Sequence, residues 1–313
     1  MLTVDDAFKE RWYYTVELKP GEFTDGFSFK NIAVTRKALQ AVDLKGKTVL
    51  DVSTMEGMFS TLAAKRGGRV IATDVIGLEP KVSLLKRLHG VSFDYFPHSP
   101  VVDYANHVFS IQASKFFSST KPLTMETHTP YGFDVVLSSG VIYHVANPVE
   151  HLLNYRKLCK LGGVCIIEGA CLVSDEIEMI HDHHGDAPAF GGQATWFVST
   201  RALEIYLRSA FFEPLGFAYV TSQGANTSPL VRIAVVARAV SERIFPEEFG
   251  DQSKSELYKN MDYKPLYPAA QLTGACHQPP AVDLSGLHAG GDLRGSVVTR
   301  TAETSYEDAD LTL

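Results

Sequence analysis

TVLDVSTMEGMFSTLAAKRGGRVIATD, residues 48–74, is the stretch that decides the fold. Its apolar run Val49–Val52 predicts a buried strand, residues 58–63 carry apolar side chains at helical spacing, and residues 70–72 predict a second strand. Gly67 and Gly68 end the predicted helix, and Asp74 follows the second strand, 23 positions after Asp51. A strand, turn, helix and strand closed by an acidic residue is the arrangement of a nucleotide-binding βαβ unit.

The turn before the helix indicates which nucleotide fits. It carries one glycine, Gly57, where a dinucleotide site has three, and this argues against NAD or FAD. The helix start presents unpaired N–H groups and a positive dipole end. Asp74 is placed to accept hydrogen bonds from both hydroxyls of an unmodified ribose. A ligand with adenine and ribose but no pyrophosphate, such as S-adenosylmethionine, fits these features, and an ordinary βαβ unit without a ligand is the alternative.

Composition and charge exclude several classes of protein. The 313 residues are 45% hydrophobic and carry a formal charge of −7. From Pro246 onward, 11 acidic and 5 basic residues give −6, which leaves −1 for residues 1–245. Neither part has the basic excess of a nucleic-acid-binding protein, so nucleic acid is not the expected partner. The four cysteines lack CxxC spacing, so a structural zinc site is not expected. Without a signal peptide or a bilayer-length apolar run, a cytoplasmic protein that does not enter a membrane is expected.

Strands and helices alternate along the rest of the core. Helices are predicted over 31–42, 79–89, 147–160 and 199–211, buried strands over 133–138 and 164–169, and an antiparallel strand pair over 216–221 and 231–238. This order predicts a three-layer α/β fold, mostly parallel and closed by an antiparallel C-terminal hairpin. Residues 90–132 show no clear period, and either a helix near 103–117 or an insertion in place of a strand would account for them.

The chain divides into three regions. Residues 1–46 form an N-terminal helix and an aromatic segment, 47–245 form the cofactor-binding domain, and 246–313 form an acidic, Pro/Gly-rich tail, mostly disordered or draped over the domain. The aromatic residues Trp12, Tyr13 and Tyr14 either pack on the core or form a lid over the cofactor.

Five segments, in one order, carry a family resemblance. They are residues 12–18, 49–59, 71–74, 140–144 with Asn147-Pro148, and 195–197 leading into 202–203. Together they resemble class I S-adenosylmethionine-dependent methyltransferases, and within that class the group of the tRNA wobble-uridine 5-oxyacetic acid methyltransferases and the related carboxymethyltransferase. The resemblance implies a Rossmann-like methyltransferase fold with a seven-stranded sheet, and S-adenosylmethionine as methyl donor in the cleft over the strand tips.

The resemblance also implies roles for particular residues. Asp51 and Gly57 would lie beside the methionine half of the donor, Asp74 on its ribose, and Val141, Tyr143 and His144 near the reactive methyl. Ser53 and Met55 replace glycines common at their positions. The complete set of expected cofactor-binding residues is Trp12, Tyr14, Asp51, Ser53, Gly57, Asp74 and Val141.

The loop after the fifth core strand is the expected acceptor wall, and it holds three histidines and two aspartates within 181–186. It could be a metal site, a general base with its orienting acid, an acceptor contact or a solvated loop. The candidate catalytic residues are His144, Tyr143, His181 and His184. For Tyr143 and His144 the alternative is a packed aromatic ring and a core histidine.

Three functions remain open. The leading interpretation is methylation of a small molecule through a hydroxyl or a thioether, for example a methionine-like metabolite, and a homodimer is one expected assembly. The second is modification of the wobble uridine of tRNA, which the missing basic excess opposes. The third is a regulatory or scaffolding subunit that binds S-adenosylmethionine without catalysis.

Overall fold

The computed structural model describes residues 1–28, 30–98, 132–181, 196–221, 230–240 and 278–289. The strands are β1 (Trp12–Tyr14), β2 (Glu17–Lys19), β3 (Glu22–Phe23), β4 (Gly26–Ser28), β5 (Thr48–Val52), β6 (Arg69–Thr73), β7 (Asp94–Phe96), β8 (Phe133–Ser139), β9 (Cys159–Leu172), β10 (Met179–His181), β11 (Trp196–Ser199), β12 (Phe212–Thr221), β13 (Leu230–Ala239) and β14 (His288–Ala289). The helices are α1 (Val4–Ala7), α2 (Lys30–Gln40), α3 (Met58–Lys65), α4 (Glu79–His89), α5 (Pro148–Leu158) and α6 (Thr200–Ser209).

One twisted sheet organises these elements, in the order β14-β12-β13-β9-β8-β5-β6-β7. The neighbouring pairs β7–β6, β6–β5, β5–β8 and β8–β9 are all parallel. β13 runs antiparallel to both β9 and β12. The predicted mixed α/β fold with a C-terminal antiparallel hairpin is therefore confirmed, and β14 adds one more strand to the edge of the sheet.

Helices cover both faces of the sheet, because side chains alternate across each strand. On β5, Leu50 and Val52 face a cluster that includes Leu152 of α5 and Leu203 of α6. Val49 points to the opposite face, into a second cluster with residues of α2, α3 and α4 and with the aromatic residues of β1. The site lies between these layers, at the carboxyl ends of the parallel strands, where open α/β sheets bind their ligands.

The predicted helix starts are confirmed by their caps. Asn147 Oδ1 accepts the Glu150 N–H at 3.1 Å, and Pro148 opens α5. Ser199 Oγ accepts the Ala202 N–H at 2.9 Å and caps α6. Side-chain acceptors of this kind satisfy N–H groups that have no partner within the helix. Both helices are thereby fixed by short polar signals in the sequence.

The structure differs from the sequence predictions at several elements. The N-terminal helix α1 is four residues long, and β7, β10, β11 and β14 were not predicted. β9 begins at Cys159, within the helix predicted over 147–160; Gly162 takes a φ of 74°, and the register with β8 shifts between Phe133 and Val135. The helix considered near residues 103–117 lies outside the described residues.

Residues 278–289 of the tail lie against the domain. The Val42–Val282 bridge joins this segment to the end of α2, and β14 pairs with β12. The His288 ring packs 5.3 Å from the Phe217 ring. The rest of 246–313 lies outside the described residues. Among the helices that the structure describes, none has the length and hydropathy needed to cross a bilayer.

Candidate active site

The loop between β5 and α3 (residues 53–57) has a backbone that normally requires glycine. φ is 58° at Ser53, 51° at Met55 and 86° at Gly57. Ser53 and Met55 thus take a left-handed conformation that glycine adopts more readily, at a cost on the order of 1–2 kcal/mol each. Non-glycine residues held in this region are concentrated at ligand sites and switches. The loop is therefore shaped for a ligand although two of its glycines are replaced.

The Asp51 side chain, near the end of β5, holds this loop in place through hydrogen bonds. Its Oδ2 accepts hydrogen bonds from Thr54 Oγ1 and Ser60 Oγ, both at 2.6 Å. Burial raises the pKa of Asp51 to about 6, and the two hydroxyls oppose that shift. Its expected position beside the methionine half of a donor stays a prediction, since both of these bonds serve the loop itself.

Asp74 lies at the tip of β6 and ties the loop to the neighbouring strand. Its Oδ2 accepts the Met55 N–H at 2.7 Å and its Oδ1 accepts the Ile76 N–H at 3.0 Å. Burial raises the pKa of the carboxyl, while the backbone N–H groups lower it. Each carboxylate oxygen has a second lone pair. The two carboxylate oxygens of Asp74 can therefore accept the two ribose hydroxyls, so the geometry is compatible with the predicted role.

The aromatic segment approaches the loop through Tyr13. The Tyr13 N–H donates to Glu56 Oε1 at 2.7 Å. A Cβ atom on Gly140, just after β8, would lie 3.3 Å from Tyr143 Oη and 3.9 Å from Tyr13 Oη. The two hydroxyls therefore converge at the tip of β8, next to the loop.

Trp12 and Tyr14 are buried in the core that includes α3. Trp12 Nε1 donates to Ala7 O at 2.8 Å, and the Tyr14 ring packs 5.4 Å from the Phe59 ring. The sequence left open whether this segment packs on the core or forms a lid over the cofactor. Both side chains pack on the core, and their contact with a cofactor stays a prediction.

A buried ion pair between Glu168 and Arg232 contacts the end of β8 through Ser139. Arg232 Nε and Nη2 donate to the two oxygens of Glu168, both at 2.7 Å, and the Glu168 residue has 0% exposure. Ser139 Oγ donates to Glu168 Oε2 at 3.0 Å and lies 2.9 Å from Thr35 Oγ1. Strands β8, β9 and β13 are thus joined by polar contacts at the edge of the sheet that carries the site.

Tyr143 connects this ion pair to the cleft. Arg232 Nη1 donates to Tyr143 Oη at 3.1 Å, and the guanidinium carbon lies 5.2 Å from the ring centroid. Burial raises the pKa of Tyr143 far above its ordinary value, although Arg232 opposes the shift. Tyr143 is therefore a neutral phenol at physiological pH, able to donate a hydrogen bond but unsuited to act as a base.

Two histidines and the aromatic rings that they contact form one wall of the cleft, here called the outer wall. The His144 ring is 4.4 Å from the Tyr143 ring, and the His181 ring is 4.6 Å from the Trp196 ring. The backbone N–H of Trp196 donates to the backbone carbonyl of Tyr143 at 3.1 Å, which joins β11 to the turn after β8. His144 and His181 are exposed, and Val141 is buried in that same turn. Three of the four candidate catalytic residues thus belong to one wall.

His184 lies outside the described residues. Within residues 1–28, 30–98, 132–181, 196–221, 230–240 and 278–289, no group of three or more His, Cys, Asp or Glu side chains is placed to hold a metal ion.

Sequence reasoning missed Glu56, Glu168 and Arg232, and it named Tyr13 only as part of the aromatic segment, without its hydrogen bond to Glu56. Glu168 and Arg232 each stand inside an otherwise apolar strand, in VCIIEG and LVRIAV, and a charged residue in such a run was the available signal. Ionised side chains are rarely buried unless they are paired. Two such residues in two buried strands therefore predict an ion pair.

This arrangement suits a reaction that depends on alignment. The loop and Asp74 can hold a nucleoside, Glu56 has a buried carboxylate oxygen without a hydrogen-bond partner, and the Tyr143 wall supplies hydrogen bonds and aromatic surface. S-adenosylmethionine carries its own leaving group, so the protein contributes binding and orientation. The residues present fit that donor.

Comparisons with known proteins identify the family. A family model described as a methyltransferase domain matches residues 27–215, more than half of the chain. The tRNA U34 carboxymethyltransferase of Shewanella putrefaciens is 30% identical over 173 residues, 54% of this chain and 44% of that protein. Its counterpart in Pseudomonas aeruginosa is 30% identical over 174 residues, 55% of this chain and 46% of that protein. The chain thus spans less than half the length of these curated relatives.

Solved structures show more distant similarity. A 1,6-didemethyltoxoflavin-N1-methyltransferase from Burkholderia thailandensis, with bound S-adenosylhomocysteine, aligns with a TM-score of 0.44 at 20% identity, over 66% of this chain and 78% of that one. An arsenic(III) S-adenosylmethionine methyltransferase from Chlamydomonas reinhardtii aligns with a TM-score of 0.47 at 14% identity, over 66% and 73%. The family match over residues 27–215, together with the site described above, leads to one conclusion: the chain belongs to the methyltransferase domain family and is an enzyme that uses S-adenosylmethionine as its methyl donor.

Proposed function

We propose that this methyltransferase acts on a uridine of transfer RNA. The observation that carries the proposal is the similarity to proteins named tRNA U34 carboxymethyltransferase, at 30% identity over 173 residues. The aromatic wall supports it. RNA-modifying proteins bind unstacked bases on aromatic side chains, and Trp196 and His181 offer such side chains beside Tyr143.

In this proposal the described residues have distinct tasks. Asp74 and the loop of residues 53–57 hold the donor, and the Tyr143 hydroxyl, kept neutral by burial, donates a hydrogen bond to the acceptor ring. The Glu168–Arg232 pair keeps the Tyr143 ring in place through Arg232 Nη1. The donor supplies an activated methyl group, and the protein contributes orientation of the acceptor toward it.

A small-molecule acceptor is the second candidate, and the charge of the chain favours it. The sequence has 36 acidic and 29 basic residues. Affinity for RNA depends on neutralising phosphates with lysine and arginine. A compact acceptor with a hydroxyl or a thioether needs no such surface, and a thioether needs no base.

Labelled S-adenosylmethionine distinguishes the two candidates. The protein is incubated with tRNA from cells that lack the wobble-uridine modification, with a transcript in which cytidine replaces that uridine, and with a tRNA-free metabolite fraction. We expect label in the first sample, sensitive to ribonuclease, and none in the cytidine transcript. Label confined to the metabolite fraction would select the second candidate. Mass spectrometry of the nucleosides then identifies the transferred group.

Matched variants of Trp196 test the acceptor wall. Trp196→Phe keeps a stacking ring, whereas Trp196→Ala removes it. Stacking of one base on an aromatic ring is worth about 1–3 kcal/mol. Trp196→Ala should therefore raise the KM for tRNA at least fivefold and Trp196→Phe much less, with the affinity for S-adenosylhomocysteine unchanged in both. Equal KM values in the two variants would remove Trp196 from the acceptor site.

A further inference from the structure

The carboxylates of the cofactor loop differ in how they are satisfied. Asp51 accepts two hydroxyl hydrogen bonds, and Asp74 accepts two backbone N–H groups, one on each oxygen. Glu56 accepts the Tyr13 N–H on Oε1 alone. Its Oε2 is buried and has no hydrogen-bond partner. The side chain is only 2% exposed, so bulk solvent hardly reaches it.

An unpartnered carboxylate oxygen at such depth is unfavourable. Leaving a buried acceptor unsatisfied costs its full desolvation penalty, which is larger for a charged group. Lys81 Nζ is 3.9 Å from Glu56 Oε1, beyond hydrogen-bond distance, and it donates to the Arg11 carbonyl instead. Burial raises the pKa of Glu56, while backbone N–H groups, that of Tyr13 first, and the charge of Lys81 lower it. A cationic donor entering the cleft would supply what Oε2 lacks.

The position of Glu56 limits what that donor can be. It lies in the loop of residues 53–57, one residue after Met55, whose N–H is bonded to Asp74, and one residue before Gly57, the N-cap of α3. The methyl donor established above has one hydrogen-bonding cation, the ammonium of its methionine half. Its sulfonium carries charge but no proton to donate.

We propose that Glu56 Oε2 accepts a hydrogen bond from the ammonium group of the S-adenosylmethionine methionine half, and that Glu56 Oε1 links this contact to the aromatic segment through Tyr13. Glu56 is then a binding residue for substrate and product cofactor alike, because both carry the ammonium. The assignment is independent of the acceptor, so it stands or fails separately from the function proposed above.

A cycle of variant and ligand tests the contact by calorimetry. The probes are S-adenosylhomocysteine and its deamino analogue, each with the wild type and with Glu56→Gln. The glutamine keeps an acceptor for the Tyr13 N–H but loses the charge. A charge-assisted hydrogen bond predicts a loss of about 10- to 100-fold in affinity for S-adenosylhomocysteine in the variant. The deamino analogue should bind the two proteins equally. An equal loss for both ligands would overturn the assignment.

Lys81→Met is the matched control. It removes the charge 3.9 Å from Glu56 Oε1 and leaves both carboxylate oxygens in place. We expect it to bind S-adenosylhomocysteine at least as tightly as the wild type, since it removes a competing cation. A loss as large as that of Glu56→Gln would show that anchoring of the aromatic segment, not the ammonium contact, determines affinity. Thermal unfolding of each variant verifies that the fold is kept.

Discussion

Glu168→Gln should be among the most destabilising single substitutions in the sheet. It removes the counter-charge of the buried Arg232 guanidinium, and it replaces one of the two oxygens that accept 2.7 Å hydrogen bonds by an NH2 group, which cannot accept one. Removing one partner of a buried ion pair costs about 3–5 kcal/mol. Because a domain is typically stable by about 5–15 kcal/mol, urea unfolding should still resolve the variant, with a much lower midpoint.

The reciprocal variant tests the same pair from the other side. Arg232→Met leaves the Glu168 carboxylate buried without its guanidinium partner, so we expect a loss in the same range of about 3–5 kcal/mol. The double variant removes both charges and should lose less stability than the two single variants added together, because no unpaired charge remains in the sheet. The reasoning is refuted if Glu168→Gln costs less than about 1 kcal/mol, the range of an exposed pair.

Four further outcomes are expected. Asp51→Asn should remove a pH dependence of stability, because burial raises the pKa of Asp51 in the folded protein from 3.8 to about 6. The stabilisation by the protonated carboxyl is present below pH 4 and is lost as the pH rises to about 6, a difference of about 3 kcal/mol. Urea midpoints of variant and wild type at pH 4 and 7 measure it, and a gap between the two proteins that is the same at both pH values contradicts it. Asp74→Ala should weaken S-adenosylhomocysteine binding at least about tenfold in calorimetry without unfolding the domain, because two ribose acceptors are lost; unchanged affinity rejects the ribose assignment. A chain ended after Thr273 should stay folded and bind S-adenosylhomocysteine but melt roughly 5 °C lower, since the Val42–Val282 bridge and β14 are removed; an equal Tm would show that this segment adds no stability. His181→Gln should raise the acceptor KM more than it lowers kcat, because the exposed ring lies beside Trp196; a kcat loss of about 100-fold or more with unchanged KM would instead make His181 the base.

The parts of the fold that could be predicted are those encoded by short-range patterns. The strand at Val49, the helix that ends before Gly67 and the helix that begins after Asn147 are each decided within a few residues, and the structure confirms all three. β10 could not be predicted, because Met179 and Ile180 are exposed and the strand exists only through its pairing with β11.

The candidate site was predictable on its donor side and less so on its acceptor side. Asp74 follows a strand, and its position could be derived from sequence. Glu168 and Arg232 are 64 positions apart and meet only because β9 and β13 are neighbours in the sheet. Tyr13 and Glu56 meet across 43 positions. Contacts between distant segments depend on topology, which local periodicity does not encode.

The late position of β14 has a consequence for synthesis on the ribosome. β14 begins at His288, almost fifty residues after β13 ends at Ala239. At the usual rate of about 5–20 residues per second, roughly 2–10 s pass between the synthesis of β13 and that of β14. During that interval the outer edge of β12 lacks the partner that will cover Gly216 and Phe217. An uncovered strand edge is a template for pairing with other chains. Chaperones that bind extended segments should therefore matter most for this protein in the seconds before residue 288 leaves the ribosome.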